Sequence, residues 1–142
     1  MLGAPIEFMS LAEIRRQFGP DGLSEPVEAY GHVGAITDDT QMTLFTAEGI
    51  LRGHNRWMSK GIASAPAVVR FAYKRWLHTQ GCPVPESDRI GEVWPDGWLV
   101  GHHELHARRA PGNTCLNALA DERFGTIEEP PNQSKGAAAL VG

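Results

Sequence analysis

The sequence predicts an all-α protein, and three observations predict it. Apolar residues recur at helical spacing over 42–51 and again over 68–77. Helix start and stop residues bracket several segments. No stretch alternates apolar and polar residues over a useful strand length.

Ser10-Leu11-Ala12-Glu13 is a capping box: the Ser hydroxyl can meet the amide three residues on while Glu13 reaches back. Leu11, Ile14, Gln17 and Phe18 carry a short helix that Gly19-Pro20 ends. Residues 20–35 are rich in Gly and read as a loop. A second helix is expected from about Thr40 to Arg52, with Met42, Phe45, Ile50 and Leu51 on its apolar face and Gly53 as its stop. Residues 53–63 then form a polar connection. Ser64 is a good N-cap and Pro66 fits a first turn. Val68, Val69, Ala72, Tyr73, Trp76 and Leu77 give that third helix one apolar face, and Gly81 and Pro83 end it.

Residues 82–101 form a long loop carrying Trp94 and Trp98. The two rings either pack the loop onto the core, the simpler reading, or stack on a ligand ring. His102, His103 and His106 do not complete the His-Glu-x-x-His zinc pattern, because position 107 is Ala; they read as surface or core histidines. Arg108 and Arg109 read as a solvated loop face, with phosphate contact as the alternative. Thr114 is expected to cap a last short helix that turns Leu116, Ala118 and Leu119 inward. Asn132-Gln133-Ser134-Lys135-Gly136 is a small polar turn whose amides, hydroxyl and Lys suit an anion.

Composition narrows the class. A chain of 142 residues can bury a core as one domain. Its net charge of −4 leaves no basic footprint for nucleic acid. Cys82 and Cys115 belong to no close pair and are expected as thiols. No apolar run is long enough for a bilayer and no signal peptide is visible, so no membrane partner and a cytoplasmic location are expected.

The stretch with the most chemistry is Thr37-Asp38-Asp39-Thr40, at the start of the second helix. Thr37, Asp38 and Asp39 supply hard oxygen donors, suited to Mg²⁺, Mn²⁺ or Ca²⁺ rather than zinc or copper. Neighbouring helical positions point about 100° apart. One ion would not take both carboxylates face-on; two ions, or one ion and its water, would use both. Thr and Asp are also ordinary helix caps. These residues alone leave both readings open.

Four stretches taken together resemble the ADP-ribosylglycohydrolases, a family that includes the enzyme acting on dinitrogenase reductase. They are Leu2-Gly3-Ala4-Pro5-Ile6-Glu7-Phe8, then Gly34 to Leu44, then Arg109-Ala110-Pro111-Gly112-Asn113-Thr114-Cys115, then Asn132 to Gly136, in that order. The resemblance implies a helical fold with two Mg²⁺ or Mn²⁺ ions. It implies hydrolysis of the bond between ADP-ribose and a protein side chain such as arginine, so that ADP-ribose or an ADP-ribosylated protein is the partner. Thr37, Asp38 and Asp39 are the implied metal ligands. Asp38 or Asp39 would help to position the attacking water, with Glu7 beside the site. Asn113, Thr114, Ser134, Lys135 and Gly136 match loops that line the ADP-ribose pocket.

The chain also departs from the family pattern. The family's first helix ends in Gly-Asp before the Leu-Gly seen here, and this chain has Met1 in place of that Asp. Its Ser-Lys-Gly turn runs into Ala137-Ala138-Ala139 rather than Cys-Gly. The family's late Asp-x-Asp-Thr metal motif has no counterpart, since no Asp follows Asp121. Residues 1–142 are therefore expected to be a partial, truncated domain. The chain alone is expected to bind metal weakly and to be inactive or nearly so. A complementing chain is one expected partner. The alternative function is a catalytically inactive relic or ADP-ribose-binding module.

Overall fold

The computed structural model describes residues 2–123, 125 and 128–133. Its elements are α1 (Leu11–Phe18), a minimal hairpin of β1 (Glu28–Ala29) and β2 (His32–Val33), α2 (Asp38–Lys60), α3 (Ala65–Thr79) and α4 (Asn113–Ala120). Short 3₁₀ turns lie at Glu86–Asp88, Leu99–Gly101 and His103–His106. The all-α expectation holds. The chain divides into two compact units, Met1–Thr37 and Asp38–Gly142.

In the first unit, α1 follows its sequence signals. The Glu13 amide donates to Ser10 Oγ at 3.3 Å, and the Ser10 amide donates to Glu13 Oε2 at 2.7 Å. That hydroxyl and amide hold the Glu13 carboxyl below its usual range. Gly19 ends the helix at φ 87°. The stretch read as loop contains the hairpin, in which Glu28 faces Val33 and Ala29 faces His32. Tyr30 and Gly31 have φ of 52° and 78°, as a two-residue type I′ turn requires. Tyr-Gly lacks the Asn-Gly or Asp-Gly signature of that turn, and strands of two residues leave no alternation to see.

The second unit is built on the pairing of α2 with α3. Here the expected end of α2 is corrected: the helix runs through Gly53 to Lys60. Gly49 and Gly53 are contact residues, not stops. A Cβ on Gly49 would sit 2.9 Å from Ala72 Cβ and 3.0 Å from the Val68 carbonyl oxygen. One on Gly53 would sit 2.9 Å from a Val68 methyl. The helix-propensity cost of two glycines is accepted because they let the two backbones approach.

Around this contact Phe45, Ala72, Tyr73, Trp76 and Leu77 form the core, closed by Leu116 and Leu119 of α4. The apolar face expected of α2 is half right. Met42 and Phe45 are buried, whereas Ile50 and Leu51 are exposed. Val68 and Val69 are only half-buried. Ser64 stands at the N-cap of α3 without a capping hydrogen bond, and a proline occupies its first turn.

Three buried charged residues, Glu48, Lys74 and Arg75, tie the loops to this pair. Lys74 Nζ donates to the Asp121 carbonyl at 3.0 Å and lies 2.6 Å from Asp88 Oδ2. It therefore caps the C-terminal end of α4 and pins the turn at residues 86–88 in one contact. Arg70 adds bonds to the carbonyls of Asp121, Glu122 and Arg123. Glu48 and Arg75 hold the segment 96–98 in a similar way. Both cysteines are free thiols. Among the described residues no helix is long and apolar enough to cross a membrane.

Candidate active site

The start of α2 is fixed by a loop rather than by an apolar contact. The Asp38 amide, one of the unsatisfied donors of the first turn, donates to the Arg109 carbonyl at 3.2 Å. In return the Gly112 amide donates to Asp38 Oδ2 at 3.3 Å. One turn further on, Gln41 Nε2 donates to the Ala107 carbonyl at 2.9 Å. Gln41 Oε1 accepts from Trp76 Nε1 at 3.1 Å and from Gln80 Nε2 at 3.2 Å. Gln41 is fully buried and joins α2, α3 and the loop 107–112.

Asp38 and Asp39 therefore differ although they are neighbours. Asp38 is 8% exposed and Asp39 lies open to solvent. Burial pushes the Asp38 carboxyl above its usual range, the Gly112 amide draws it down, and the Asp39 charge pushes it up again. The buried Cys115 thiol is raised too, first by its burial and then by the charges of Asp38 and Asp39. The first turn of α4 thus stands in the field of the two carboxylates.

Gly112 is the N-cap of α4, which corrects the expected cap at Thr114; Thr114 lies within the first turn. Asn113 is exposed and Thr114 half-buried there, directly after the amide that holds Asp38. The structure so brings Asp38, Asp39, Asn113 and Thr114 to one place, where the N-terminal ends of two helices meet the loop 109–112. Thr37 is buried and closes the first unit. Glu7 lies exposed in the first unit. Ser134, Lys135 and Gly136 lie outside the described residues.

Sequence reasoning missed three contributors. Gly112 acts through its backbone, which no side-chain pattern reveals. Gln41 is polar at a core position, and only its partners explain it. Arg109 was expected on a solvated face but is buried, and its carbonyl receives the α2 amide. The adjacent Ala110 at φ 54° turns the chain there. His102, His103 and His106 are all exposed, and His106 Nε2 pairs with the Val100 carbonyl at 2.7 Å. Trp94 is half-buried, whereas Trp98 is 63% exposed and does not pack the core.

The donors at the start of α2 fit a hard divalent cation in kind. They are carboxylate oxygens, and a cation would offset the burial of Asp38. Among the described residues no group of three or more His, Cys, Asp or Glu is arranged to hold a metal. Asp38 and Asp39 supply two carboxylates at this place.

Comparison with known proteins gives the family. Residues 1–141 match the family model of the ADP-ribosylglycohydrolases. No match was found among curated proteins, and none among solved structures. The matched span takes in all four stretches that carry the resemblance, and on that span the chain belongs to the ADP-ribosylglycohydrolase family.

Proposed function

We propose that the chain serves hydrolysis of the glycosidic bond joining ADP-ribose to a protein side chain such as arginine. Two Mg²⁺ or Mn²⁺ ions would be held in part by Thr37, Asp38 and Asp39. The observation that carries this reading is the meeting of Asp38 with the Gly112 amide at the start of α4, inside a family match that spans the chain. When bound, such ions orient ribose hydroxyls and lower the pKa of a bound water.

The residues of the chain do the rest. The Gly112 amide holds one Asp38 oxygen and so orients the carboxylate. Asp39 is open to solvent and would position the attacking water. Asn113 and Thr114 would meet the substrate, and Ser134, Lys135 and Gly136 would line the same pocket. Glu7, matched by the resemblance alone, would serve the same reaction. Cleavage develops positive charge on the ribose ring, which the paired carboxylates favour.

A second reading is ADP-ribose binding without turnover. It is favoured by the short ligand set: two carboxylates and one hydroxyl leave Mg²⁺ well below its octahedral need. Release of ADP-ribose from ADP-ribosyl-arginine, with Mg²⁺ or with chelator, separates the two. The hydrolase reading expects release that is slow, metal-dependent and lost in Asp38→Asn and Asp39→Asn. Metal-dependent binding with no release selects the second reading. Neither binding nor release contradicts both.

A further inference from the structure

One side of α2 carries an apolar stripe that the packing described above does not use. Ile50, Leu51, Trp57 and Met58 are each more than half exposed, and Leu44 is exposed as well. Leu51 lies two residues from both Gly49 and Gly53, the residues that meet α3. At about 100° per residue it stands about 160° around the axis from each of them. Leu44 and Met58, seven residues to either side, continue the same line. The charged residues of α2 keep off it. Glu48 is buried, and Arg52, Arg56 and Lys60 lie about 100° or more around the axis from Leu51. Single exposed apolar residues are ordinary, but an uncharged stripe along most of a helix marks a contact surface.

The spacing is that of a coiled-coil seam. Leu44, Leu51 and Met58 recur every seven residues, and the exposed Ala47 and His54 follow the first two by three. The His54 and Trp57 rings stand 6.2 Å apart on this side. Turned end over end against a second α2, the stripe complements itself. With Leu51 opposite His54 of the second copy, Ala47 falls opposite Met58 and Leu44 opposite Gly61. Each layer then sets a larger side chain against a smaller one, and each contact occurs twice by symmetry. Ile50 flanks Trp57 of the second copy. A parallel pair would instead stack Ala47 on Ala47 and His54 on His54. Charge selects the same orientation. The first turn of α2 carries Asp38 and Asp39 and its last turns carry Arg56 and Lys60, so only the antiparallel pair brings unlike ends together.

We propose that α2 is a self-association surface, through which two copies of this chain pair antiparallel on Leu44, Ala47, Leu51, His54 and Met58. From Leu44 to Lys60 the stripe is about 24 Å long and covers roughly 250 Å² in projection. That is small for an interface and fits a dimer that exchanges at micromolar concentration. An anionic lipid surface would call for cations bordering the stripe. The cations of α2 lie elsewhere around the helix, and Arg52 is paired with Asp96. None of the five seam residues belongs to the proposed hydrolase site.

The test is sedimentation velocity across the micromolar range on the unaltered chain, Leu51→Glu and Val93→Glu. Val93 is an exposed apolar residue outside α2 and serves as the control. A monomer–dimer equilibrium is expected in the unaltered chain and Val93→Glu. The dissociation constant should rise roughly 30-fold or more in Leu51→Glu, with its helical circular dichroism unchanged. An unaltered chain that stays monomeric, or that forms open-ended aggregates, overturns the pairing, as does equal dimerisation by Leu51→Glu. A monomer that instead floats with phosphatidylserine vesicles also overturns it and gives the stripe to a lipid surface. Register is read by oxidative cross-linking. Ala47→Cys combined with Met58→Cys should join two copies, whereas neither alone should, because position 47 lies about 16 Å along the axis from its counterpart. A link in Ala47→Cys alone, or none in the combined variant, overturns the antiparallel register.

Discussion

The first turn of α2 and its middle are held by opposite means. In the middle, Gly49 and Gly53 let α3 come close, and the contact is apolar and tight. At the first turn the attachments are hydrogen bonds to the backbone of residues 107–112 and to Gln80 and Trp76 through Gln41. Close packing gives stability and tolerates little change of volume. Hydrogen bonds to a buried carboxylate contribute less net stability but fix where its oxygens lie. The same helix is thus a close-packed element in its middle and a hydrogen-bonded frame for two carboxylates at its first turn.

Breaking the close-packed middle should have the largest effect. Gly49→Val would force a branched side chain against Ala72 Cβ and the Val68 carbonyl. Neither can yield without moving α3. A loss of about 3 kcal/mol is expected, read as a fall in Tm of roughly 10 °C. Gly53→Ala meets only the methyl groups of Val68, which can rotate, and should cost clearly less. Equal losses would mean that the backbones are not in close contact at Gly49.

The joint between the two regions comes next. Gln41→Leu removes one donor and one acceptor from a buried site and leaves Trp76 Nε1, Gln80 Nε2 and the Ala107 carbonyl without that partner. About 2 kcal/mol should be lost in chemical denaturation. ADP-ribose binding should fall with it, because the strap 107–112 loses an anchor. Unchanged stability would mean that water replaces the Gln without cost.

At the first turn itself the effect on stability should nearly vanish while the effect on ligand is complete. Burial already disfavours the charged form of Asp38. Asp38→Asn keeps the shape, can still accept from Gly112, and should leave stability within about 1 kcal/mol of the parent. A large loss of stability would move Asp38 from the functional region into the structural one.

The smallest expected effect is a pH dependence far from the carboxylates. Burial lowers the pKa of His78, and the neighbouring His106 and Arg89 charges lower it further. The folded state thus binds this proton less readily than the unfolded state. Stability should rise with pH between the lowered folded value and the ordinary histidine value near 6.5. It should be lost as pH falls through that window. His78→Asn should flatten the slope of Tm against pH there, and an unchanged slope would assign it to other groups.

What the sequence reveals follows the same division. Elements set by local chemistry are legible: the Ser10 capping box, the bounds of α3 and the inward face of α4 all match. The end of α2 was not, because a glycine that stops a helix and a glycine that admits a neighbour look alike without the neighbour. The burial of Glu48, Lys74, Arg75 and Arg109 was equally hidden, since charged residues are expected in water until their partners are known. The carboxylates of the candidate site were visible as residue types. Their inequality was not, because it comes from the Gly112 amide and from a loop more than seventy residues away in the chain.

The first turn of α2 is the proposed place of ligand binding. The direct measurement is calorimetric titration with ADP-ribose, in Mn²⁺ and in chelator, of the unaltered chain and Asp38→Asn. Binding is expected in Mn²⁺, lost on chelation and lost in Asp38→Asn while the helical circular dichroism of the variant stays intact. Metal-independent binding of equal strength in both proteins, or no binding by the unaltered chain, would contradict it.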